Sequence, residues 1–343
     1  MIYYSIFLLF CTCTLTLSRT VKGNNFFYYL TIIIVIVFSG FRYDAGNDFF
    51  TYYAMINGNV KIERLEIIPK LFIELAVYYK KPFLFFLLSS LCYISSIAYF
   101  CKKNSNNKEF SFFLFLILPL SFLTSLGYVR QFMSIGFYLV ALSLYINERK
   151  KSSLLFMLFS VLCHTSSIAL LPIIFLYKLL SKKKIPFFIA AIMIIFAFTS
   201  SWLVKEYAYL AGNYQHYITG SKVISAGKKI GYISLFILML FYFFIRKIKA
   251  KNDIYFFNIF FIFVSSYILL MTFGEYVVRI TYILFPMSYL LFSIILYKKK
   301  EVKILQMILI SIFGILMYYS TLYFSAHNET RDFLTNYSFI FMQ

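Results

Sequence analysis

Side chains able to do chemistry are scarce in this chain and sit in a few clusters. Arg42-Tyr43-Asp44-Ala45-Gly46-Asn47-Asp48 follows directly on the apolar run Phe26 to Phe41 and sets one guanidinium beside two carboxylates across a Gly-Asn turn. Such a turn can present Arg42 to an anion while Asp44 or Asp48 accepts a proton from, or orients, a hydroxyl group. It can equally close on itself as an internal Arg to Asp pair. Phe49-Phe50-Thr51-Tyr52-Tyr53 follows, as aromatic anchoring at an interface or as a stacking surface. Further along, Arg130 and Gln131 stand between two apolar runs with no polar loop around them. An arginine at membrane depth is costly unless paired or facing water and by default marks a site; the plainer reading is one that snorkels at a tight turn. His164, in Cys163-His164-Thr165-Ser166-Ser167, is a candidate proton acceptor amid hydroxyls, or a core histidine bonded to a neighbouring helix. Glu275 and Arg279 stand four apart, so on a helix they would pair.

The elements that position these groups follow from composition. The chain is 62% hydrophobic, 22% aromatic and only 13% charged, where a soluble domain has about a quarter of its residues charged. Its apolar runs are long and lack period-two alternation. That predicts an all-α fold, a polytopic membrane helical bundle with about 10 to 12 membrane segments at roughly 20 residues each. Residues 1–343 read as a single integral membrane domain. The net charge of +20 lies in short Lys and Arg clusters between apolar runs, the signature of membrane topology and not of a nucleic-acid partner. Placing Arg149 to Lys151, Lys182 to Lys184, Arg246 to Lys251 and Lys298 to Lys303 in the cytoplasm leaves outer-face loops at 42–67 and 205–230 and an outer tail from Ser325.

Two segments need other readings. Ser152 to Ser181 must leave and return to one side, as two short helices or a re-entrant hairpin turning near His164. Glu66 to Lys80 reads as an interfacial helix on the outer face, with Glu66, Lys70 and Glu74 forming one charged stripe. The five cysteines sit in or beside apolar runs and read as buried thiols. No phosphate-binding glycine loop, HExxH helix or Cys/His cluster of metal spacing is present, so no cofactor and no metal site are expected.

That topology sends most lysines inside but five of eight arginines outside: Arg42, Arg64, Arg130, Arg279 and Arg331. Charge sorting explains the lysines and leaves the arginines. A guanidinium fork binds phosphate or carboxylate bidentately, so the pattern points to an outward cavity that handles an anionic lipid head group. His216 and His327 read as ordinary outer-face residues.

The order of motifs resembles the EpsG-like family, a branch of the Wzy-type polysaccharide polymerases. An Arg-x-x-x-Gly-x-Asp cluster follows an early helix (Arg42, Gly46, Asp48, then Tyr52-Tyr53), and Arg130-Gln131 opens a mid-chain helix. A histidine-serine step precedes a Pro-bearing helix (His164 to Pro172), and Arg279-Ile280-Thr281-Tyr282 stands before Phe285-Pro286. Asn47 stands where the family's turn commonly carries Thr. The resemblance implies a multi-pass glycosyltransferase of the bacterial cytoplasmic (inner) membrane, joining undecaprenyl-diphosphate-linked oligosaccharide repeat units at the outer face for O-antigen, capsule or exopolysaccharide. Asp44, Asp48 and His164 would then serve catalysis. Arg42, Arg130, Gln131, Arg279, Glu275 and Tyr282 would bind the diphosphate and substrate. The implied partners are the lipid-linked oligosaccharide, membrane lipids, a chain-length regulator and other export proteins. A transporter or flippase for lipid-linked sugar, a membrane O-acyltransferase, a ligase or a scaffold subunit are the other readings. The discriminating observation is whether Arg42, Arg130 and Arg279 converge in one pocket.

Overall fold

The computed structural model describes residues 1–21, 25–60, 65–206, 225–245, 249–271, 275–298, 303–327 and 334–342. The protein is helical, and among the described residues seven helices are long and apolar enough to cross a bilayer, from Ile2–Thr20 to Ile304–Ala326. It is a multi-pass membrane protein. The chain divides into two compact units, Met1–Ile168 with Lys300–Gln343, and Ala169–Lys299.

In the first unit, α1 (Ile2–Thr20), α2 (Phe26–Gly40) and α5 (Phe83–Asn104) lie side by side. Buried hydroxyl pairs link neighbours, Thr14 with Thr31 at 2.8 Å and Ser39 with Ser90 at 2.7 Å. In hydrocarbon such small polar residues let helices approach and satisfy each other. Between α2 and α5 come the two-residue strand β1 (Arg42–Tyr43), α3 (Phe49–Ile56) and α4 (Ile67–Tyr78). The expected outer loop at 42–67 is therefore mostly folded. At 12 residues α4 is about 18 Å long, too short to span, as the interfacial reading requires. Lys70 and Glu74 pair on its half-exposed face at 3.8 Å.

The apolar run from 111 to 128 is not one helix. Lys108–Ile117 forms α6, which stops at Leu118 because Pro119 both lacks a donor and forces the preceding residue into extended backbone. A six-residue α7 (Phe122–Gly127) follows, and a second break at Tyr128 lets α8 (Val129–Ile146) start afresh. After it, α9 (Lys150–Cys163) ends at His164, whose backbone is extended, and a 3-10 turn runs from Thr165 to Leu170. The helix breaks at the residue where the sequence expected a turn.

The second unit holds α10 (Pro172–Phe175), α11 (Tyr177–Leu180), α12 (Phe187–Glu206), α13 (Ser225–Phe244) and α14 (Lys251–Leu270). Next come α15 (Glu275–Val278), a 3-10 helix (Arg279–Leu284) and α16 (Met287–Lys298). Asn258, 1% exposed on α14, pins the basic turn before α12 by donating to the Leu180 and Lys183 carbonyls and accepting from the Ile185 amide. The expected loop at 205–230 lies for its central part, with His216, outside the described residues; 225–230 is helix.

Returning to the first unit, α17 (Lys303–His327) runs into the start of the expected outer tail. Residues 338–339 form β2 and pair antiparallel with β1, Arg42 opposite Phe339. The Tyr337 ring stacks on Phe38 at 4.3 Å, and its hydroxyl donates to the Phe38 carbonyl at 2.8 Å.

Candidate functional site

The site begins at the turn after α2. Gly46 adopts φ +104, and a Cβ there would fall 1.9 Å from the Leu126 carbonyl oxygen, so only glycine lets the turn rest on the end of α7. Asp44 holds φ +51 in the same turn. Contact with α7 fixes Arg42. Its guanidinium is 1% exposed and donates to the carbonyls of Ser39 at 2.5 Å, Ala45 at 3.0 Å and Leu126 at 3.1 Å, with the Phe86 ring 4.6 Å away. The Leu126 carbonyl is one that the break at Tyr128 leaves without a helical donor. Burial pulls the Arg42 pKa down to about 10, so it stays charged at neutral pH. Arg42 was expected to face an anion; instead it knits two chain breaks together, because its fork matches carbonyls offered from two directions.

Asn47 continues the contact, donating to the Tyr128 hydroxyl at 3.0 Å. Asp48 opens α3 and its charge acts on both Arg42 and Tyr52. Phe49 stacks on Phe86 at 4.8 Å, which turns Tyr52, one helical turn later, inward to 2% exposure. Burial pushes the Tyr52 phenol up, so it stays protonated.

Tyr52 meets Arg130. The guanidinium in the first turn of α8 donates from Nε to the Tyr52 hydroxyl at 2.8 Å and from Nη1 to Glu66 Oε2 at 2.6 Å. The other carboxylate oxygen of Glu66 lies 2.9 Å from His164 Nδ1. One carboxylate thus bridges α8 and the break after α9. Burial alone would raise the Glu66 carboxyl, but the bond from His164 and the Arg130 charge outweigh it and hold the pKa at about 2. An ionised carboxylate only accepts, so His164 Nδ1 must carry the hydrogen, and in the neutral ring Nε2 keeps its lone pair. Among the described residues, neither His164 Nε2 nor Arg130 Nη2 makes a hydrogen bond. Their side chains are 28% and 30% exposed, against 12% for Glu66. The arrangement offers an oriented base and a held cation on either side of a charge that stabilises both.

Of the expected residues, Arg130 and His164 come together here, with Asp48 acting on Tyr52 from the preceding turn. Gln131 is buried in α8 at 9% exposure. Arg279 is half-buried at the start of its 3-10 helix in the second unit, where Tyr282 is 5% exposed and stacks on Tyr267. Glu275 begins α15; its side chain, that of His327, and Arg64 and Arg331 lie outside the described residues. Glu66 was assigned to the exposed stripe of α4, and that is corrected: it stands at the N-cap and turns inward. A signal was present in Pro69, which is tolerated only in a first helical turn and so places Glu66 off the helix surface.

The EpsG family model matches residues 25–339. No curated protein and no solved structure matches the chain.

Proposed function

The chain belongs to the EpsG family, and from that membership we propose that it is a glycosyltransferase joining undecaprenyl-diphosphate-linked oligosaccharide repeat units at the outer face of the bacterial cytoplasmic membrane. The observation that carries the reading is the Arg130, Glu66 and His164 chain, with Arg130 Nη2 and His164 Nε2 both open. Chain growth forms a bond from a sugar hydroxyl oxygen to the anomeric carbon of a second, lipid-linked sugar. The bond from that carbon to the diphosphate breaks, its electron pair leaves on the diphosphate, and the hydroxyl proton passes to His164 Nε2. Glu66 stabilises the imidazolium that results, and Arg130 faces the charge developing on the leaving oxygens, a preorganised term that is often the largest in catalysis. Asp44 or Asp48 orients the acceptor sugar, and Gln131, Arg279, Glu275 and Tyr282 are further substrate contacts. A chain-length regulator and export proteins are its expected partners in the envelope.

The test is long-chain polysaccharide made in the native host, and polymer formed from lipid-diphosphate oligosaccharide by purified protein. Arg130→Ala and His164→Ala are expected to abolish both while the protein stays in the membrane. Unchanged long-chain product from Arg130→Ala and from Arg279→Ala would sink the reading.

A further inference from the structure

A second feature of the first unit lies apart from the Glu66 site. Between α1, α6 and α17 a cavity of about 270 Å³ opens, lined by residues of all three helices. Its position follows from how α17 leans on the bundle. At Gly314 that helix touches α6 so closely that a Cβ would come 2.3 Å from Ile117 Cδ1. Further on, the Tyr318 hydroxyl donates to the Tyr4 carbonyl at 3.2 Å. Toward the Lys303 end the cleft opens, with Leu15, Phe113 and Ile315 at its apolar end and Arg19 and Asn107 at its polar end. Arg19 belongs to the last turn of a membrane span, so the cleft runs from head-group level into hydrocarbon.

We propose that this cleft binds one acidic glycerophospholipid, its phosphate on Arg19 and an acyl chain along the apolar wall. The charges decide the class. Among the described residues the only partner of the Arg19 guanidinium is the Met307 thioether, with Nη1 2.9 Å from Sδ, and a thioether is a weak acceptor for a group built to grip oxyanions. Glu109, the acid at the same level, is engaged elsewhere, accepting from Ser18 at 3.2 Å and facing Lys108 at 3.6 Å. Among the described residues the polar end therefore carries one uncompensated positive charge, which a phosphodiester with no cationic head group neutralises. An apolar cleft open to the bilayer fills with acyl chain whatever the lipid, so the head group supplies the selectivity.

The full chain, purified in mild detergent, is titrated with equal amounts of phosphatidylglycerol or phosphatidylcholine, and retained lipid is counted by native mass spectrometry. One phosphatidylglycerol is expected to be retained with roughly tenfold preference, the size of a charge-assisted hydrogen bond. Arg19→Gln should bring the preference to within about twofold. Ser311→Trp, which fills the cleft and leaves Arg19 in place, should lose the bound lipid, so a folding failure of one variant leaves the other to decide. Equal retention of the two lipids by the native protein, undiminished preference in Arg19→Gln, or a lipid still bound in Ser311→Trp overturns the proposal. So does displacement by inorganic phosphate as complete as by phosphatidylglycerol, which would mark a simple anion site.

Discussion

Among the described residues Glu66 is the side chain that bonds both Arg130 and His164, so its substitution separates their roles. Glu66→Gln keeps the shape but removes the charge, leaving Arg130 without its anion and His164 free to swap tautomers; polymer formation should fall roughly a hundredfold or more. A pH series checks the same residue. With its pKa held at about 2 against an ordinary value near 4.3, Glu66 stabilises the fold fully above the ordinary value, and that contribution is lost as pH falls through about 2. The gap in melting temperature between native protein and Glu66→Gln should thus shrink as pH falls below about 4. The two nearby arginines should fail differently. Arg42→Lys cannot reach three carbonyls at once and should lower the yield of folded protein, whereas Arg130→Lys should fold normally and lose activity. Arg130 and His164 stood out in the sequence because a charge or an imidazole inside an apolar run is costly unless paired or facing water. Arg42 was misread because its Leu126 partner is a carbonyl 84 residues away, exposed by a helix break that no side-chain pattern announces.

Among the elements, the turn from Arg42 to Asp48 and the breaks flanking α7 hold each other in place. Gly46→Ala puts a Cβ into the Leu126 carbonyl and forces φ +104 on a residue that resists it. It should destabilise by roughly 2 to 3 kcal/mol, seen as a lower melting temperature, with activity lost in parallel as Tyr52 and Arg130 drift apart. That α4 is a short helix and that the chain breaks at His164 were readable from the length available between basic loops. Pairing of β1 with β2 was not, since two-residue strands carry no periodicity and their register is set by the Tyr337 stack on Phe38. Tyr337→Ala should therefore lower both stability and polymer yield although the residue touches none of Arg130, Glu66 and His164.

At the scale of the whole molecule, composition was enough to predict a membrane bundle, because a chain with 13% charged residues has no other way to satisfy its backbone. Orientation is checkable with reporter fusions. A periplasm-active reporter inserted at Gly58, between α3 and α4, should be active, and one at Ser105, between α5 and α6, inactive. The strap that closes on β1 also sets an order of assembly. Tyr337 and its partner Phe38 are 299 residues apart, so at about 5 to 20 residues per second the ribosome delivers the second roughly 15 to 60 s after the first. Through that interval α2 waits in the membrane with one strand edge and one aromatic face uncovered. A message cut short between Ala326 and Tyr337 would yield a protein that carries all seven spans of the described residues yet never finishes its first turn, which makes that turn a checkpoint on the length of what was translated.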